Sequence, residues 1–235
     1  MEKAVTEYLS KLNIPISVRY CKNLLKQTVQ HKNIAVQNEM AAVRLKNSPE
    51  VFMSLLYKQR QVDTTLFEHD FLIGSPDAPV KLTMAVNLFC GPCKNELEQA
   101  KELLSVYPEQ VSLSLRFLKS KNKEETSSLL LKKWLQSSIN KSNGDLDGQT
   151  LIEAWFRTMD KEIFTKSNAS NGTVSVSAAE KYTQNHYNWI KEAEIVNTPN
   201  TFINSYELPS TYRIKDLSVL IPGLVATFDN KAYVS

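Results

Sequence analysis

The sequence predicts an α/β domain that carries a helical insertion and follows a helical extension, and three observations support that reading. A strand-length run of β-branched and apolar residues at 80–89 leads straight into Cys90-Gly91-Pro92-Cys93, and residues 94–107 place Leu97, Ala100, Leu103 and Leu104 at helical spacing before Pro108. Residues 111–118 alternate Val111, Leu113, Leu115 and Phe117 with Ser112, Ser114 and Arg116, which is the period of two of a strand. Helical spacing then returns over 129–139, 151–164 and 178–193, which marks an insertion at about 122–194.

The helical extension comes first in the chain. Residues 3–61 contain no glycine and read as helical, with Leu24, Leu25, Thr28 and Val29, and later Val51, Phe52, Leu55 and Leu56, at helical spacing. Pro15 and Ser48-Pro49 interrupt this arm; Ser48 is an N-cap candidate and Pro49 suits the first position of a new helix ending near Gln59. The turn cluster Gly74-Ser75-Pro76-Asp77-Ala78-Pro79 separates the arm from the strand that leads into the cysteines, so the extension is placed at 1–68 and the domain at 69–235. After Thr198-Pro199, Thr201-Phe202-Ile203-Asn204 reads as a short strand, Asn204-Ser205 as a turn, and 214–220 as a final helix.

Composition bounds the function. With 235 residues, 42% hydrophobic and 23% charged, the chain can bury one sizeable core. Its net charge of +3 is dispersed in mixed Lys/Glu segments such as 119–125, with no basic run interleaved with aromatics, so nucleic acid is not an expected partner. No segment approaches the roughly 20 apolar residues of a membrane-spanning helix, and the chain reads as soluble. The opening Met1-Glu2-Lys3-Ala4-Val5-Thr6-Glu7 lacks the apolar core of a secretory signal, so an export signal or anchor is expected outside this chain or not at all.

Three cysteines, Cys90 and Cys93 with a distant Cys21, are too few for a disulfide scaffold, and the close pair reads as chemistry. Disulfide exchange needs a thiolate, whereas a free cysteine ionises only at about pH 8.5. A Cys-x-x-Cys at a helix start meets that need, because the leading sulfur faces unpaired N–H groups at the positive end of the helix dipole. Cys90 is therefore the expected nucleophile and Cys93, one turn inside, the resolving thiol; Pro92 suits the first turn because its missing N–H would have had no partner. The redox-active pair is the only cofactor-like group expected. A zinc site would need two more ligands, and only Cys21, His31, His69 and His186 remain, without a second close pair. Cys21 reads as an inert thiol, Asp145-Leu146-Asp147-Gly148 as a solvated turn, and the triplets beginning at Asn140, Asn168 and Asn171 as short matches to the glycosylation pattern.

Phe89-Cys90-Gly91-Pro92-Cys93 after a β-rich strand resembles the site of the thioredoxin superfamily. The segment from Gly74 to Val80 resembles the opening of the catalytic domain in DsbA-like bacterial disulfide oxidoreductases, and Val196-Asn197-Thr198-Pro199-Asn200-Thr201-Phe202-Ile203-Asn204 resembles their cis-proline strand. The resemblance implies a thioredoxin-like fold over about 74–220, a cis Pro199, and Thr198 offering backbone hydrogen bonds to a substrate peptide; the bland alternative is a trans Thr-Pro opening an edge strand. It implies substrate contacts at Phe89, Gly91, Pro92, Thr198 and Pro199, protein thiols as partners, and a periplasmic or extracytoplasmic setting. Asn47-Ser48-Pro49-Glu50-Val51-Phe52 and 55–62 resemble the segment joining a vitamin K epoxide reductase-like membrane domain to a thioredoxin-like domain in certain bacterial fusions, which implies a quinone-linked membrane partner.

The pattern also departs from that family. Met84 stands where many thioredoxin-like proteins keep a buried acid, and Glu96 and Glu98 are expected to point partly or wholly to solvent because Leu97 turns inward, so neither is an evident replacement. Phe89 stands where thioredoxins usually carry Trp. The expected function is thiol-disulfide exchange with protein thiols, in a direction that the Gly-Pro dipeptide does not fix, against the alternative of a non-catalytic peptide-binding module.

Overall fold

In the computed structural model, which describes residues 7–8, 11, 18–68, 70–118, 129–133, 148–167 and 176–232, the run before the cysteines forms strand β2 (Val80–Val86) and the run after them helix α3 (Gly91–Val106). The chain divides into two units, Met1–Ser48 and Pro49–Ser235. The first holds helix α1 (Val18–Lys46), whose side chains from 23 to 45 are all exposed.

The second unit opens with α2 (Pro49–Leu56), so this helix and the segment up to 68, expected with the extension, group with the domain. Its Phe52, Met53 and Leu56 are buried, and Phe52 meets the edge of Tyr212 at 4.9 Å. Then come β1 (Phe71–Ile73), β2, α3, β3 (Val111–Phe117), α4 (Gly148–Thr158), α5 (Lys161–Ser167), α6 (Val176–Glu192), β4 (Asn200–Ile203), β5 (Tyr206–Glu207), a 3₁₀ turn (Ile214–Leu217) and α7 (Ile221–Ala232). Strand β1 was not anticipated; three residues are too few for a period to register. The final helix begins at Ile221, and the stretch expected to be helical from 214 opens with the 3₁₀ turn. The expected helix at 151–164 is two, broken where Met159 takes a positive φ of 52°.

The strands form one sheet in the order β1-β3-β2-β4-β5. Strands β2 and β3 are parallel, with Met84 opposite Leu115, and α3 is the crossover between them; the other pairs are antiparallel. Gly74 makes the turn from β1 toward β2 possible: its φ is +90°, and a Cβ there would lie 2.9 Å from the Val111 carbonyl oxygen.

Alternation along β2 and β3 sorts side chains to two faces, and both faces are covered. Val80, Leu82, Met84 and Val86 of β2 join Val111, Leu113, Leu115 and Phe117 of β3 in the larger core, while Ala85 joins Trp189, Ile190, Ala193, Ile195 and Phe202 in a smaller one. The polar residues of β3 are therefore buried as well, because α6 and the 61–70 segment cover that side. Two of them find partners inside: the Ser114 hydroxyl bonds Thr83 Oγ1 at 2.9 Å, and Arg116 pairs through Nη2 with Asp70 at 2.7 Å with its guanidinium 3.8 Å above the Phe67 ring, while Arg116 Nε and Nη1 have no hydrogen-bond partner among the described residues. His186 of α6 completes this cluster, Nε2 lying 3.5 Å from Asp70 Oδ1 while Nδ1 accepts the Phe117 N–H.

Candidate active site

The loop between β2 and α3 is built to present one sulfur and hide the next. Asn87 folds it: its side-chain oxygen accepts the Phe89 N–H at 2.9 Å and its carbonyl accepts the Cys90 N–H at 3.1 Å. Leu88 is buried, and its carbonyl accepts a 2.8 Å hydrogen bond from Trp155 Nε1 of α4. The Phe89 ring stands edge-on to Trp155 at 5.4 Å, and Trp155 is in turn edged by Phe164 of α5. The helical insertion thus grips both residues that precede the dithiol.

Cys90 is the N-cap of α3, with an extended backbone (φ −107°, ψ 116°) and no side-chain cap, and Pro92 occupies the first turn. Gly91 and Pro92 are exposed, Cys90 is half-buried, and Cys93 is fully buried among the core residues. Both cysteines are free thiols.

Thr198 meets both sulfurs. The Cys90 thiol donates to the Thr198 carbonyl at 3.6 Å, and the Thr198 side chain hydrogen-bonds Cys93. The Thr198–Pro199 peptide is cis, as the resemblance implied. Burial pushes the Cys93 thiol up to about 12; the Asn87 backbone opposes this, and the neighbouring Cys90 adds to it. The arrangement pairs an accessible sulfur at a helix start with an enclosed one that holds its proton at neutral pH.

Every residue expected at the site lies in this neighbourhood: Phe89, Cys90, Gly91, Pro92 and Cys93 on one loop and helix start, with Thr198 and Pro199 brought against them from before β4. Met84 is fully buried in the core beneath. Glu98 is exposed as expected, but Glu96 is not. Its side chain is only 11% exposed and lies 3.5 Å from Arg213, in a groove of about 300 Å³ that it shares with Pro199, Thr201, Leu208 and Tyr212. A second groove, lined by Leu118, Tyr187, Ile190, Ile195 and Val196, approaches the same proline loop from α6. Trp155 and the enclosure of Glu96 escaped the sequence reading. An amphipathic helix announces that Trp155 is buried but not what it bonds, and Glu96 is enclosed by a loop far along the chain.

Among the other candidates, His31 is exposed on α1 and His186 is committed to Asp70 and the Phe117 amide. The side chain of Cys21, His69, the turn at 145–147 and the glycosylation triplets lie outside the described residues. Among the described residues no group of three or more His, Cys, Asp or Glu could hold a metal, and no helix is long and apolar enough to cross a membrane.

A family model described as thioredoxin matches residues 67–222. Comparison with curated proteins gives no match. Among solved structures, the chain is similar to the ScsC protein of Proteus mirabilis in a compact conformation, with 17% identity over 89% of this chain and 99% of that one and a TM-score of 0.53. It is also similar to a periplasmic thioredoxin-like protein of Salmonella enterica serovar Typhimurium, with 13% identity over 75% and 97% of the two chains and a TM-score of 0.50. These likenesses show a shared fold.

Proposed function

Because the chain belongs to the thioredoxin family, we propose that it exchanges disulfides with protein thiols through Cys90 and Cys93. The observation that carries this reading is the asymmetry of the two sulfurs: Cys90 is accessible at the start of α3, whereas Cys93 is enclosed, and Thr198 bonds both. Unpaired N–H groups at a helix start stabilise negative charge on the sulfur they face, which favours attack through Cys90.

In the reducing direction, the Cys90 thiolate attacks a substrate disulfide, forming a mixed disulfide and releasing one substrate sulfur as a thiolate that takes a proton from water. Cys93 then gives its proton to water and attacks Cys90 Sγ. The Cys90–Cys93 bond forms, the second substrate thiolate leaves, and two electrons have passed to the substrate. The oxidising direction is the reverse: a substrate thiolate opens the Cys90–Cys93 bond, and a second displaces Cys90. The raised affinity of Cys93 for its proton makes its ionisation the step most dependent on pH. An extended substrate segment lies along Thr198 and Pro199, with Phe89, Gly91 and Pro92 forming the other wall.

Cys90→Ser abolishes turnover in insulin reduction and in oxidation of a reduced substrate. Cys93→Ser accumulates a mixed disulfide visible by mass spectrometry. Turnover that survives Cys90→Ser overturns the reading and leaves a peptide-binding module. The reduction potential assigns the direction, with a value near about −270 mV marking a reductant and one near about −120 mV an oxidant. The resemblance around 47–62 supports an extracytoplasmic setting and a quinone-linked membrane partner of vitamin K epoxide reductase type. Such a partner reoxidises the reduced chain in the presence of quinone, and no reoxidation removes that assignment.

A further inference from the structure

Among its described side chains, helix α1 has none buried. Every side chain from 23 to 45 is exposed, and these include Leu24, Leu25, Val29, Ile34, Val36, Met40, Val43 and Leu45, seven of them more than 45% exposed. A 29-residue helix in a globular protein ordinarily owes most of its stability to an apolar stripe packed on something, so an unburied stripe points to a surface that receives it.

The stripe can be located by spacing. Leu25, Val29, Val36, Met40 and Val43 succeed one another at intervals of four, seven, four and three residues, which keeps them on one side of a 3.6-residue helix. Lys26 and Arg44 border that side on one flank and Lys32 on the other, and all three are exposed.

Charge identifies the receiving surface. Six of the chain's 28 Lys and Arg, but only one of its 25 Asp and Glu, fall within Val18–Lys46. The helix therefore carries +5 and the rest of the chain −2, so the charge that reads as dispersed along the whole sequence is concentrated on α1. Pairing of α1 with a second copy of itself would set these cations against one another, with Glu39 the single acid available to offset them. Crossing a bilayer is excluded by the low apolar content of the helix. An apolar stripe bordered by cations whose alkyl stems can lie along it suits the boundary between headgroups and acyl chains of an anionic bilayer.

We propose that α1 lies on the surface of an anionic phospholipid membrane, its Leu25–Val29–Val36–Met40–Val43 side among the acyl chains and Lys26, Lys32 and Arg44 against the headgroup phosphates. The proposal stands independently of the dithiol chemistry.

Flotation of the full chain with vesicles tests it. The chain floats with vesicles of phosphatidylcholine and phosphatidylglycerol but not with phosphatidylcholine alone, and about 1 M salt, where the screening length falls to about 3 Å, releases it. Lys26→Glu/Lys32→Glu/Arg44→Glu lowers partitioning more than about tenfold. Val29→Asn/Val36→Asn, which keeps the charge, also weakens it. Equal affinity for both vesicle types, absence of binding to the anionic one, or an undiminished charge-reversed variant overturns the proposal. So does sedimentation showing a lipid-free oligomer that Val29→Asn/Val36→Asn dissociates, because the stripe then joins copies of the chain. Circular dichroism and the reactivity of the Cys90 thiol establish that each variant is folded.

Discussion

Burial acts in opposite directions on two side chains of the domain. It raises the proton affinity of Cys93, whose charged form is the thiolate, and lowers that of His186, whose charged form is the cation, although the Asp70 hydrogen bond and charge pull His186 back up. Nδ1 of His186 accepts the Phe117 N–H, so protonation of the ring would also cost that bond. The consequence for stability has a definite sign. Below the ordinary imidazole value of 6.5 the unfolded chain takes up a proton at this position that the folded chain refuses, so stability falls as pH drops through that value. Burial opposes ionisation of Asp70, but His186 and Arg116 together hold its carboxyl below the ordinary 3.8, and this adds a second loss at lower pH. Urea midpoints measured from neutral pH down to about pH 5 decline for the wild type, and His186→Gln flattens the decline. A wild-type midpoint independent of pH in that range contradicts the assignment. At this scale the sequence was most informative where a short motif sets chemistry, as at Cys90 and Cys93. It was least informative at Glu96, whose burial depends on Arg213 and the loop around it.

At the scale of elements, periodicity located β2, α3 and β3 but carried no information on what covers them. Alternating Ser112, Ser114 and Arg116 resembles a half-exposed strand because a sequence shows polarity, not the helix laid over it; here polar residues find partners in Thr83 and Asp70 and remain inside. The break at Met159 was equally hidden, since α4 and α5 continue the same helical spacing on either side. The most consequential contact between elements is that of α4 with the β2–α3 loop. Trp155→Phe keeps the ring that faces Phe89 but removes the donor to the Leu88 carbonyl, leaving a buried acceptor unpaired, and it costs about 1–3 kcal/mol of stability. Because the unpaired group lies two residues before Cys90, the same substitution slows disulfide exchange. Denaturant unfolding and a turnover assay read the two effects, and a variant unchanged in both refutes the role given to this hydrogen bond.

For the whole molecule, the α/β arrangement, the insertion and the helical arm were legible because each is long or repetitive, whereas the grouping of α2 was not. Its association with the domain rests on contacts such as Phe52 with Tyr212, and on Gly223, where a Cβ would overlap Pro49. The division into Met1–Ser48 and Pro49–Ser235 leads to a direct expectation: a chain that begins at Asn47 unfolds at the same denaturant midpoint as the full chain and turns over the same substrates. A markedly lower midpoint would show that the arm stabilises the domain. The hold of Trp155 on Leu88 has a bearing on engineering. Grafting the four-residue redox motif into a foreign scaffold would leave behind the tryptophan that seats it, and chimeras that exchange the insertion between homologues would be expected to fail unless the residues just ahead of the dithiol are swapped along with it.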